Sequence, residues 1–168
     1  ITKMKSSEVT VDFLRTNKDC IFIFSNFILL REECKQYAIN NLKYFVYEQD
    51  HKYIRSRNPI KYVDFIAPKE ERINIEFYAS AIKVLFLTKL SMEVFHANTD
   101  LVNLLNLQSS VWRRDELEYL KQICNNGKND KIAIMDSSNP IKRRADCVSL
   151  CRKNSWDFEL ISDKNFKK

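Results

Sequence analysis

The stretch from Lys131 to Ile161 restricts this chain to few architectures. Lys131-Ile132-Ala133-Ile134-Met135 is an apolar run too short for a globular helix and reads as a buried strand. Ser138 or Asn139 can cap a following helix, and Pro140 suits its first turn, where no backbone N–H is needed. Apolar side chains return at Ile141, Ala145, Val148 and Cys151, with Cys147 and Leu150 beside them, tracing a helical face. The helix is expected to stop near Asn154, and Asp157 to Ile161 alternates as a second strand. Strand, turn, helix, strand is a βαβ unit, which requires parallel strands. Its turn carries Asp136, Ser137, Ser138 and Asn139, with Arg143 and Arg144 close behind. Such a turn lies at the carboxyl end of a strand, where α/β sheets bind ligands.

The rest of the chain repeats the alternation. Asp19 to Phe24, centred on Cys20-Ile21-Phe22-Ile23-Phe24, is a buried-strand pattern. A helix is expected from about Leu29 to Leu42, with Leu30, Cys34, Tyr37 or Ala38, and Leu42 on its inner face. Tyr44 to Tyr47 is a second strand. Pro68-Lys69-Glu70-Glu71 opens a helix expected to run through about Leu90. Asp100 to Leu107 is helical or extended. Asp115 to Cys124 reads as a helix with Leu117, Leu120 and Ile123 or Cys124 inward, closed by Asn125 to Asn129 with Gly127 as a left-handed cap. Strands near 20–24, 44–47, 131–135 and 157–161 alternating with helices predict a three-layer α/β domain with a mostly parallel sheet. A single domain over residues 1–168 is expected, as a piece of a longer chain.

The stretch that carries Asp136-Ser137-Ser138-Asn139 and then Arg143-Arg144 resembles the P-loop kinases of small metabolites. It is most similar to 6-phosphofructo-2-kinase and more distantly to polynucleotide kinase. In that family a strand ends in Asp-Ala-Thr-Asn and a pair of arginines opens the next helix; here the pair comes one residue earlier. Tyr62-Val63-Asp64-Phe65-Ile66 also looks like the family's Tyr-x-Phe-Phe segment, with Ala67 where the family has an arginine for the sugar phosphate. The resemblance implies a P-loop kinase fold. It implies Asp136 as the group for magnesium or the acceptor hydroxyl, Ser138 and Asn139 for substrate, and Arg143 and Arg144 for phosphate.

Glycine decides how far this resemblance extends. The chain has one, Gly127, against an average near ~7%. A Walker A loop, Gly-x-x-x-x-Gly-Lys-Ser/Thr, needs glycines for close backbone approach, a lysine and a hydroxyl. Aligned on Asn26, the chain places Arg31 at the second glycine, Glu32 at the lysine and Glu33 at the hydroxyl, around Phe27-Ile28-Leu29-Leu30. At 4 Å, like unit charges repel by about 4 kcal/mol at an effective dielectric of 20, so Glu32 has the wrong sign for a phosphate. The reading that follows is a degenerate 6-phosphofructo-2-kinase-like domain, non-catalytic and acting in binding or regulation. It needs no cofactor. The alternative is an active kinase of fructose 6-phosphate or of polynucleotide ends that uses Mg-ATP on an atypical loop.

The net charge of +6 is either a basic soluble surface or a sign of acidic partners: a phosphorylated metabolite, nucleic acid or a protein. The run His51, Lys52, Arg55, Arg57 is either a solvated loop or a phosphate-facing one. The five cysteines show no metal-ligand spacing, and with no signal peptide an odd count predicts a reducing, cytoplasmic setting. His96 has no metal partner at helical spacing. No run reaches membrane-spanning length, so no membrane partner is expected.

Overall fold

The computed structural model describes residues 2–109, 113–124, 127 and 130–162, with the side chain of Ile141 set aside. The chain divides into two compact units, 1–111 and 112–168, where a single domain was expected. The strands accordingly form two separate sheets.

The first unit holds a four-stranded parallel sheet of β1 (Ile21–Phe24), β2 (Lys43–Glu48), β3 (Lys83–Phe86) and β4 (Leu104–Asn106), in the order β1-β2-β3-β4. Its helices are α1 (Val11–Thr16), α2 (Glu32–Asn41), α3 (Ile75–Ala79) and α4 (Lys89–Thr99). Register runs Phe24↔Val46, Val46↔Val84 and Val84↔Leu104, so one row crosses the whole sheet. Thr10 caps α1 through the N–H of Phe13, and Thr88 caps α4 through the N–H of Ser91. Glu32 and Glu33 open α2, where the helix dipole favours acids.

All four helices contribute to one core. Leu14, Cys34, Ala38, Phe77, Tyr78 and Phe95 join Phe24, Tyr44, Val46, Val84 and Phe86 from one face of the sheet. Aromatic rings dominate it. Tyr44 stacks on Phe77 with ring centroids 5.0 Å apart, and Tyr53 meets Phe95 edge-on at 4.7 Å. Such pairs contribute about 0.5–1.5 kcal/mol each beyond the area they bury. The Tyr44 hydroxyl donates to the Phe77 carbonyl at 2.7 Å. The other sheet face carries Ile21, Ile23, Phe45, Tyr47, Leu85 and Leu105, which are exposed or half-buried. The first unit therefore has two layers, not the expected three, because its crossover connections lie on one side.

Two expectations change here. The predicted helix from Pro68 to about Leu90 is a 3-10 turn (Lys69–Glu71), α3, β3 and the start of α4. Asn74 interrupts it at φ 58, and the Ile82 N–H donates to the Tyr44 carbonyl at 2.8 Å, leading the chain into the slot beside β2. The ambiguous stretch after Asp100 becomes β4, following a left-handed α4 cap at Asp100, φ 58.

The long connection between β2 and β3 is folded, not slack. Ile73 N–H donates to Tyr53 C=O at 2.9 Å and Arg55 N–H to Glu71 C=O at 2.8 Å. Buried Asn98 accepts from the Ala67 N–H at 2.7 Å and donates to the Phe65 and Val94 carbonyls at 2.9 and 2.7 Å. Scarce glycine shows in the backbone: His51, Arg57, Asp64, Phe65, Asn74, Asp100, Gln108, Arg143 and Ser155 all take positive φ. Turns that usually recruit glycine are made with side chains present.

The second unit contains α5 (Arg114–Ile123), β5 (Ile132–Met135), a 3-10 turn (Pro140–Lys142), α6 (Arg144–Lys153) and β6 (Phe158–Ile161). β5 and β6 pair in parallel, Ile132↔Phe158 to Met135↔Ile161, which is the βαβ unit read from the sequence. Among its described residues only Ile134 and Cys151 are fully buried. Leu117, Leu120 and Ile123 of α5, expected inward, are exposed, as are Ala145, Cys147 and Leu150 of α6. The cap expected at Gly127 rests on neighbours that, like the lysine-rich tail, lie outside the described residues.

Candidate functional site

Of the segments that follow the carboxyl ends of strands, three carry residues singled out in the sequence: Ser25 to Arg31 after β1, Gln49 to Asn58 after β2, and Asp136 to Arg143 after β5. The segment after β1 is closed by packing. Phe27 and Leu30 are 1% and 3% exposed, and the Leu30 N–H donates to the Phe27 carbonyl at 3.0 Å. Asn26 is exposed. Arg31 pairs with Glu33 at 3.0 Å and reaches the Val9 carbonyl at 3.4 Å. Glu32 accepts from Gln36 at 3.2 Å and Lys35 at 3.1 Å, and those two hydrogen bonds lower its pKa. The residues aligned with a nucleotide loop thus make local contacts at the start of a helix.

The turn after β5 is arranged around ion pairs. Arg144 Nε lies 2.9 Å from Asp136 Oδ1, reaching back from α6 to the turn. Arg143, at φ 51 before α6, points along the helix to Asp146 at 2.8 Å. Ser137 Oγ accepts the Asn139 N–H at 3.2 Å, and Ser138 is exposed. Both guanidiniums that the sequence assigns to phosphate are matched by carboxylates. All four side chains are exposed, a setting where ion pairs contribute about 0–1 kcal/mol. Asp136, Ser138, Asn139, Arg143 and Arg144 therefore share one segment, with no excess charge between the two pairs.

The segment after β2 differs. Glu48, buried at the end of β2, accepts the N–H groups of Asp50 and Lys52 at 2.9 and 3.2 Å and the Tyr78 hydroxyl. Burial, with the adjacent Glu48 carboxylate adding to it, raises the Tyr78 pKa well above its ordinary value. Burial lowers the pKa of His51, opposed by the Glu48 and Asp50 carboxylates, and His51 Nδ1 lies 2.9 Å from the Tyr53 hydroxyl. Lys52 Nζ is 3.7 Å from both Glu48 and Asp50. Beyond it opens a pocket of about 290 Å³ lined by Phe27, Lys35, Lys52, Arg55, Arg57 and Asn74, with Ile28 and Ile73. The basic run of this loop was visible in the sequence; Lys35 and Asn74 join it only through the fold.

Among the described residues, no group of His, Cys, Asp and Glu could hold a metal ion, and no helix is long and apolar enough to cross a membrane. His96 Nδ1 contacts the Leu101 carbonyl at 2.9 Å, a local bond at the end of α4. Compared with protein-family models, curated proteins and solved structures, the chain matches none at a significant level.

Proposed function

We propose that this chain is a non-catalytic binding domain that takes an acidic, amphipathic protein segment on the open face of its four-stranded sheet. One observation carries the reading: among the described residues of the first unit, no helix packs on one face of the parallel sheet. All-parallel sheets are nearly always covered on both faces. Here Ile23 and Leu105 remain 64% and 46% exposed, with Phe45, Tyr47 and Leu85 between them. Lys43 and Lys83 stand at the amino edge of this apolar band, opposite Ile21 and Phe45 in the register, and offer the charge an acidic segment would meet.

The strand order supports the same reading. Doubly wound nucleotide-binding sheets reverse order at a switch point, where the ligand sits. The order β1-β2-β3-β4 has no reversal. Each strand–helix step is added beside the last, as in solenoids, which present extended sheet faces to partners. A P-loop kinase origin for the chain rests on the Asp136 turn. The active alternative, Mg-ATP-dependent phosphorylation of fructose 6-phosphate or of polynucleotide ends, rests on that motif as well.

The test is a titration with synthetic acidic amphipathic peptides, followed by methyl resonances. Shifts are expected at Ile21, Ile23, Leu85 and Leu105, and are expected to vanish in an Ile23→Lys, Leu105→Lys variant with an unchanged melting temperature. Peptides that leave these methyls unmoved, or single-stranded RNA that shifts them in place of the peptides, would overturn the reading.

A further inference from the structure

The geometry points to a second binding site in the first unit, past the carboxyl ends of β1 and β2, that takes a phosphate monoester. Its centre is Lys52. That side chain is 2% exposed, yet its Nζ makes no hydrogen bond. The distances of 3.7 Å to Glu48 and Asp50 are too long for one. Glu48 is already engaged by the Asp50 and Lys52 N–H groups and by Tyr78, so it has little reason to move closer. A buried ammonium with unmade hydrogen bonds is costly, and a rotation of the Lys52 side chain toward a ligand oxygen in the adjoining pocket removes that cost.

The pocket supplies the remaining chemistry. Lys35, Lys52, Arg55 and Arg57 line it, and no carboxylate does. Arg55 and Arg57 are exposed and have no ion-pair partner among the described residues. Their planar forks match phosphate oxygens. Asn74 fixes the geometry: it donates to the Lys52 carbonyl at 2.8 Å and accepts from Lys35 Nζ at 2.9 Å, tying the loop to α2. Lys35 also pairs with Glu32 at 3.1 Å, so Arg55 and Arg57 supply the unmatched charge, and Lys52, whose charge Glu48 and Asp50 balance, supplies the unmade hydrogen bonds. Lys52 Nζ also lies 5.7 Å from the centroid of the Phe27 ring, which closes the floor of the pocket. Ile28 and Ile73 give an apolar wall for the organic part of an ester. The ester can be a phosphorylated metabolite or a phosphoserine or phosphothreonine of a protein; the phosphoryl chemistry is the same.

The experiment is calorimetry on the full chain with inorganic phosphate, a hexose 6-phosphate, and a serine peptide with and without phosphate. The comparison variant carries Arg55→Gln and Arg57→Asn, since residue 57 sits at φ 52 and Asn tolerates that conformation. The expected result is millimolar or tighter binding of phosphate-bearing probes, weakened about tenfold or more in the variant. Lys52→Met, made together with Glu48→Gln so that no buried charge is left unpaired, is expected to weaken it as well, with near-ultraviolet circular dichroism confirming that the core is intact. Tighter binding of the phosphopeptide names a protein source, and tighter binding of the hexose phosphate names a metabolite. Failure of every phosphate probe to bind, equal binding of the unphosphorylated peptide alone, or binding unchanged in the arginine variant each overturns the site.

Discussion

Replacing Glu48 with Ala is expected to destabilise the first unit by about 3–5 kcal/mol, the usual cost of removing one member of a buried charge pair. Glu48 and Lys52 have side chains 3% and 2% exposed, 3.7 Å apart. Removing the carboxylate leaves the ammonium buried and also deprives the Asp50 and Lys52 N–H groups and the Tyr78 hydroxyl of their acceptor. The measurement is urea denaturation followed by near-ultraviolet circular dichroism, which reports the aromatic core around Tyr78 and Phe95. A second variant, Glu48→Gln with Lys52→Met, keeps an oxygen for the two N–H groups and removes both charges. It is expected to recover much of the loss. An Ala variant as stable as the parent would show that Lys52 finds water or another partner, and that the end of β2 is not held this way.

Replacing Leu30 with Asp is expected to have a comparable effect, about 3–5 kcal/mol, because a carboxylate would enter a packed site without a partner. Leu30 is 3% exposed beside Phe27 at 1%. The same midpoint measurement checks it. An unchanged midpoint would mean that the segment after β1 is open, as a phosphate loop must be.

β1, α2 and β2 were legible because their apolar residues have a definite period. Cys34 and Ala38 are buried as the helical face required, while Leu30, expected on that face, packs from the turn before α2, which begins at Glu32 and not near Leu29. The βαβ unit of the second half was legible for the same reason, helped by Pro140 at the start of its 3-10 turn. β3 was not. Ile75 to Leu90 contains apolar residues at helical spacing, and only the slot between β2 and β4 makes Lys83–Phe86 extended. The open sheet face was hidden by composition. Ile21, Ile23, Phe45 and Leu85 are as apolar as their buried neighbours Phe24, Tyr44, Val46 and Val84, so the strands read as covered on both sides. The site residues split similarly. The sequence located the turn at Asp136, but not that Asp136 and Asp146 take up both guanidiniums. It flagged the basic run after β2, but not that Lys35 would join it from a helix.

The most direct test of the central claim, that this chain binds without transferring phosphate, is the turnover of labelled Mg-ATP by the full chain in the presence of fructose 6-phosphate and of RNA ends. A packed Phe27–Leu30 segment, with Glu32 and Glu33 where a lysine and a hydroxyl would be needed, predicts no transfer above the buffer rate and no magnesium-dependent affinity for ATP. Phosphorylated product formed at a rate that follows the chain's concentration would contradict the account.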